Sequence, residues 1–114
     1  MNPTQFIIAL KQDPKENEFS RTIQVIEDHY KFTPSAFTNG DVKNNPGENN
    51  GSCKIFAFAK LEGLSEYFTL ACFGKYYFED VLGNPDGNNH QNIRSFMKTG
   101  WNGIVFKGNP LEEK

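Results

Sequence analysis

The segment Asn49-Asn50-Gly51-Ser52-Cys53-Lys54-Ile55-Phe56-Ala57-Phe58-Ala59-Lys60 constrains the fold of this chain more than any other. A polar, glycine-bearing turn runs directly into an apolar run. Ile55, Phe56 and Phe58 are core-forming, so the rest of the chain must pack around them. The segment reads as a helix from Ser52 to Glu62, ended by Gly63. Cys53 then lies in its first turn, where unpaired backbone N–H groups and the positive end of the helix dipole favour a thiolate. A nucleophile would be presented this way, and an ordinary helix also begins this way.

At 114 residues the chain has the length of one domain, taken as residues 1–114, with a single core. Its 11 phenylalanines can build that core, because aromatic side chains bury large areas. A formal net charge of −2 argues against non-specific nucleic-acid binding, which needs a basic face. No apolar stretch approaches the roughly 18 residues of a membrane span. The N-terminal Met1-Asn2-Pro3-Thr4-Gln5 has neither the basic nor the apolar region of a Sec signal. The two cysteines are expected to stay reduced, as in a cytosol, with a Cys53–Cys72 bridge as the alternative.

Thr4 to Lys11 reads as a short helix with Phe6, Ile7 and Leu10 inward. Phe19, Ile23, Ile26 and Tyr30 share one helical face, with Glu27 and Asp28 on the wet side. Phe32-Thr33-Pro34 ends that helix, since the residue before proline avoids the α region. Ser35 to Thr38 is a strand candidate and Asn39-Gly40 a tight turn. Residues 43–51 are turn-forming and read as a surface loop. Ser65 caps a further helical stretch in which Leu70, Phe73, Tyr77 and Val81 share a face. Gly74 interrupts it, giving one kinked helix or two short ones. After a loop at 84–88, with Asn88 or Asn89 as cap, Asn89 to Thr99 is the last helix, with Ile93, Phe96 and Met97 inward. Gly103 to Lys107 is the best strand, and residues 35–43 are its one good partner. The expected fold is α+β and mainly helical, with about five helices. A small two- or three-stranded sheet is formed by residues near 35–43 and 103–107.

Cys53, His90 and an amide from Asn92 or Asn102 occur in the chain order of papain-like enzymes. A helix-start thiol, an imidazole to take its proton and an amide to orient the ring would make a thiol nucleophile. The Cys-Gly-x-Cys-aromatic surrounding of that family is missing, and a purely structural Cys53 is the heavier reading. Cys72, among apolar residues, reads as a packed, inert thiol. His29, behind Glu27-Asp28 at a helix C-terminus, reads as a dipole partner. Two histidines and two cysteines without a close pair make a poor metal site, and Asp86-Gly87-Asn88-Asn89 lacks calcium-loop spacing. No cofactor fingerprint is present, so neither a metal nor a cofactor is expected. Tyr67, Phe68, Phe73, Tyr76, Tyr77 and Phe78 are too dense to point inward from one helix. Tyr76, Tyr77 and Trp101 are the candidate binding aromatics, set against a reading in which the same rings are core.

Four stretches are similar to the HopJ type III effector family. They are Phe32-Thr33-Pro34-Ser35-Ala36-Phe37-Thr38-Asn39-Gly40, Asn49 through Ala59, Thr69-Leu70-Ala71-Cys72-Phe73-Gly74, and His90-Gln91-Asn92-Ile93-Arg94 with Phe96 through Trp101. The resemblance covers about residues 4–108. It implies a small bacterial protein delivered through a type III secretion system, with no agreed activity or catalytic residues to carry over. The expected function is binding of a protein or small ligand, with a host protein as partner after export and neither nucleic acid nor membrane. The expected location is the bacterial cytoplasm, with type III secretion as the family name implies. The alternative is a cysteine-dependent hydrolase or transferase using Cys53 and His90.

Overall fold

A computed structural model describes residues 1–114. Helix α1, Pro3–Gln12, opens with a reciprocal cap. The Asn2 side chain accepts from the Gln5 backbone N–H at 2.8 Å, and the Gln5 side chain accepts from the Asn2 backbone N–H at 2.9 Å. Phe6 and Leu10, one turn apart, are the buried pair. Helix α2, Phe19–His29, buries Thr22, Val25 and Ile26, while Phe19 and Ile23 pack at the core's edge.

Helix α3, Asn50–Glu62, is the hub, with Cys53 and Ile55 through Ala59 all buried. Elements pack on several of its sides, so this helix has no wide wet face at mid-length. It ends as expected at Gly63, in the left-handed region at φ 66°. The Leu64 N–H reaches back to the Ala59 carbonyl at 2.9 Å, closing the end as a Schellman turn. Ser65 caps α4, Glu66–Ala71, accepting from the Phe68 N–H.

Residues 65–82 form two helical pieces. Gly74 takes φ +60°, and a Cβ there would come within 2.8 Å of the Phe19 backbone nitrogen. The chain must break to let α2 approach. Beyond the break, Tyr76–Val81 winds as a π-helical turn. Cys72 sits just past the end of α4 rather than mid-helix. The carbonyls exposed by this break are taken by α2's start: Thr22 donates to the Cys72 carbonyl at 2.8 Å, and Asn17 to the Ala71 carbonyl at 3.1 Å.

Helix α5, Gln91–Thr99, starts later than the expected Asn89, and its cap residue is His90 rather than Asn88 or Asn89. Met97 faces outward with 45% of its surface exposed, against the inward expectation. The inward face runs instead through Asn92, Ile93 and Phe96.

The expected small sheet is present, with three strands. β2, Phe37–Asn39, is central; β3, Val42–Asn44, and β4, Ile104–Phe106, flank it antiparallel. Phe37 lies opposite Phe106, and Asn39 opposite Ile104. A second sheet was not foreseen. β1, Tyr30–Phe32, pairs antiparallel with β5, Leu111–Glu113, with Phe32 opposite Leu111. Helix α2 therefore stops at His29, before the proline expected to end it. Tyr30 is held by strand pairing and by its hydroxyl donating to Glu62 at 2.8 Å. A cluster of 23 buried apolar residues fills the space between these elements. No helix is long and apolar enough to cross a membrane.

Candidate functional site

Only two non-glycine residues take positive φ, Asn49 and His90, both at 52°. Each immediately precedes a helix, α3 and α5, and no side chain caps either helix start. Both starts open on one cleft of about 520 Å³. Asn49, Gly51 and Ser52 line one side, and His90, Gln91, Asn92 and Ile93 the other. Strained backbone positions cluster where function requires a geometry the chain would not adopt by itself. Two uncapped helix starts facing one space present several N–H donors and two positive dipole ends to whatever enters.

A buried asparagine network fixes this arrangement. Asn39, Asn44 and Asn92 are each at most 5% exposed. Asn39 donates to the Asn92 carbonyl at 2.7 Å, and Asn92 donates to the Asn44 side chain at 3.0 Å. Asn44 donates in turn to the Phe37 carbonyl and to Asn92. Asn49 reaches the Asn44 side chain at 2.8 Å, which ties the strained residue before α3 to β3. The sheet, the start of α3 and the start of α5 are thus bonded into one unit, and buried polar networks of this kind rigidify a site.

The other wall is aromatic: Phe19, Phe73 and Tyr76. Gly51 lets Phe19 lie against the start of α3, since a Cβ at 51 would come within 2.9 Å of the Phe19 ring. The His90 ring lies against Tyr76 with centroids 5.1 Å apart, and its Nε2 is 3.1 Å from an Asp80 carboxylate oxygen. The imidazole is therefore oriented from two sides at the cleft's edge.

Cys53 is not among the cleft residues. It is 1% exposed, its Sγ lies 3.9 Å from the Ser35 carbonyl, and burial pushes its thiol up from the ordinary value. That burial outweighs the help a helix start gives to a thiolate. His90 and Asn92 reach the cleft, and Cys53 points into the core one residue after Ser52 turns out. Asn92 is engaged in the asparagine network, and Asn102 is exposed. Cys72 is fully buried, its thiol pushed up to about 12 by burial. Both cysteines are free thiols.

Of the three candidate aromatics, Tyr76 lines the cleft and is 42% exposed. Tyr77 is buried against the core, and burial raises its phenol's pKa, with Tyr67 adding to the effect. Trp101 is half-buried, its ring 5.1 Å from Phe96 and its Nε1–H donating to the Leu64 carbonyl at 3.2 Å. It packs on the core away from the cleft. The expectations missed Asn49, Gly51 and Ser52 as lining and Asn39 and Asn44 as supports. The signal was present as asparagine at the strand ends, where it looks like turn chemistry.

Residues 3–111 match the family described as HopJ type III effector protein. The whole chain is similar to 95% of the chain in a crystal structure of an unknown function protein, VPA0580, at 56% identity and a TM-score of 0.98. No curated protein matches the chain.

Proposed function

The chain belongs to the HopJ type III effector protein family, and on that footing we propose that it is a small-ligand-binding protein whose site is the cleft between the starts of α3 and α5. The ligand class is a small molecule carrying an anionic group such as phosphate. The observation that carries this reading is the pair of uncapped helix starts, each behind a left-handed residue, opening on the same cleft. The N–H groups of Gly51 and Ser52 on one side and of Asn92 and Ile93 on the other supply donors, and both dipoles favour negative charge. The Tyr76 ring offers an apolar face for the remainder of the ligand. Asp80 balances His90 when the imidazole is protonated, so the helix starts rather than the histidine supply the attraction.

Cysteine-dependent chemistry with Cys53 and His90 lacks comparable support, because the thiol is buried and outside the cleft. The test is Ser52→Glu, which places a carboxylate where the ligand's anion would sit. Calorimetric titration with inorganic phosphate is expected to show binding by the unaltered chain and none by the variant. The melting temperature should rise in the same variant, since a carboxylate in a helix's first turn stabilises it by about 0.3–1 kcal/mol. Equal phosphate affinity in both proteins would sink the reading.

The family description names a type III effector, and from it we further propose delivery through a type III system out of the bacterial cytoplasm, with a host protein as partner. A secretion assay in a strain with a working type III apparatus, against an apparatus-null strain, is expected to find the chain in the medium of the first only. Retention in both would contradict export.

A further inference from the structure

We propose that a second cavity, on the other side of α5, binds a small monocarboxylate carrying a short apolar chain. The cavity holds about 610 Å³, within the range of small-molecule sites, and lies between α5, the end of the π-helical turn and the loop 84–89. It goes beyond the first cleft and uses different chemistry.

The carrying observation is Arg94. It lines this cavity, is 8% exposed, and has no carboxylate within ion-pair distance. Its guanidinium is held by neutral oxygens only. Nε donates to the Asn89 carbonyl at 2.6 Å, Nη2 to the Asn89 side chain at 2.7 Å, and Nη1 to the Pro85 carbonyl at 3.2 Å. Those bonds explain how the loop is fastened. They leave the charge uncompensated and one N–H on each terminal nitrogen without a partner, since a guanidinium has five donors. Buried charges are ordinarily paired, and a carboxylate takes the two terminal nitrogens of an arginine together. Gly87 keeps the approach open: a Cβ there would come within 2.8 Å of Nη2.

The remaining walls decide the rest of the ligand. Val81, Leu82 and Met97 supply apolar surface, and Leu82 and Met97 are each 45% exposed. Methionine adapts to irregular apolar partners. Asp41 and Lys98 also line the cavity and offset one another, so the net charge offered is that of Arg94 alone. One positive charge against an apolar wall matches a monoanion with an apolar tail better than a phosphate dianion.

The test is an amide-shift titration of the intact chain with hexanoate, hexanol and acetate. Hexanoate is expected to move residues 84–89 and 94–99 saturably. Acetate should need about tenfold more ligand for the same shift, and hexanol should not saturate. Arg94→Gln should weaken hexanoate about tenfold or more. Because that change also loosens the loop, Met97→Glu is the second variant. It leaves the guanidinium's three bonds intact and sets a carboxylate in the apolar wall, so hexanoate binding should vanish with the loop resonances unmoved. Equal response to hexanol, undiminished binding by Met97→Glu, or no saturable shift at 84–89 and 94–99 would each overturn the proposal. Shifts confined to residues 50–52 and 91–93 would also overturn it, by placing the carboxylate in the first cleft. Phosphate binding there is measured separately, so either site can fail without the other.

Discussion

Ser52 and Cys53 are neighbours with opposite fates, and the difference follows from helix geometry. Successive residues are about 100° apart around the axis, so when Ser52 faces the cleft Cys53 turns toward the core. The sequence shows that a helix begins here, with all the donors such a start offers. Which of the first-turn side chains meets solvent depends on how α2, β2 and α5 pack, and that is not written locally. The thiols carry a direct prediction. Both are pushed up by burial, Cys72 to about 12. Neither should be labelled by iodoacetamide in the native protein at pH 8, and both should be labelled after denaturation in urea. The linkage has a definite sign. An unfolded thiol ionises near its free value of roughly 8.5, and the folded ones resist, so unfolding releases protons above that pH. Stability from this source is complete below about pH 8.5 and is lost as the pH climbs, for Cys72 by up to roughly 1.4 kcal/mol per pH unit until about pH 12. Rapid labelling of Cys53 at neutral pH would contradict the account of its surroundings.

Among the elements, those with long local patterns or a plainly apolar run were legible, and the short polar strands were not. Helices α1, α2 and α3 announce themselves through apolar spacing and the Gly63 stop, and α4 through the Ser65 cap. The pairing of β2 with β4 was legible because Ile104-Val105-Phe106 is apolar and branched and had one candidate partner. Tyr30-Lys31-Phe32 looked like the end of a helix, because its strand partner lies some eighty residues away at Leu111–Glu113 and is itself short and acidic. The Gly74 break was visible as an interruption, but its meaning required Phe19 and Asn17 beside it. That contact can be tested. Gly74→Ala puts a Cβ at φ +60° against the Phe19 backbone. It should destabilise the fold by about 1–3 kcal/mol or more in urea denaturation, with a matching loss of the π-helical turn's protection in hydrogen exchange. An unchanged midpoint would mean the two segments separate easily.

At the scale of the whole molecule, the asparagines explain why the site was hidden. Asn39 and Asn44 sit in strands at inward positions where apolar residues are the rule, and Asn92 does the same at the start of α5. Read one at a time they are turn formers. Together they join the sheet to two helix starts and hold Asn49 and His90 on either side of one cleft. The resemblance to the HopJ family pointed to lineage and left the chemistry open, and the structural relative is likewise a protein of unknown function. Under the proposed function the two helix starts form one anion site. The most direct measurement is an amide-shift titration of the intact chain with inorganic phosphate. Residues 50–52 and 91–93 are expected to move together with a single dissociation constant. Movement of one helix start alone, different constants for the two, or no saturable change at either would contradict it.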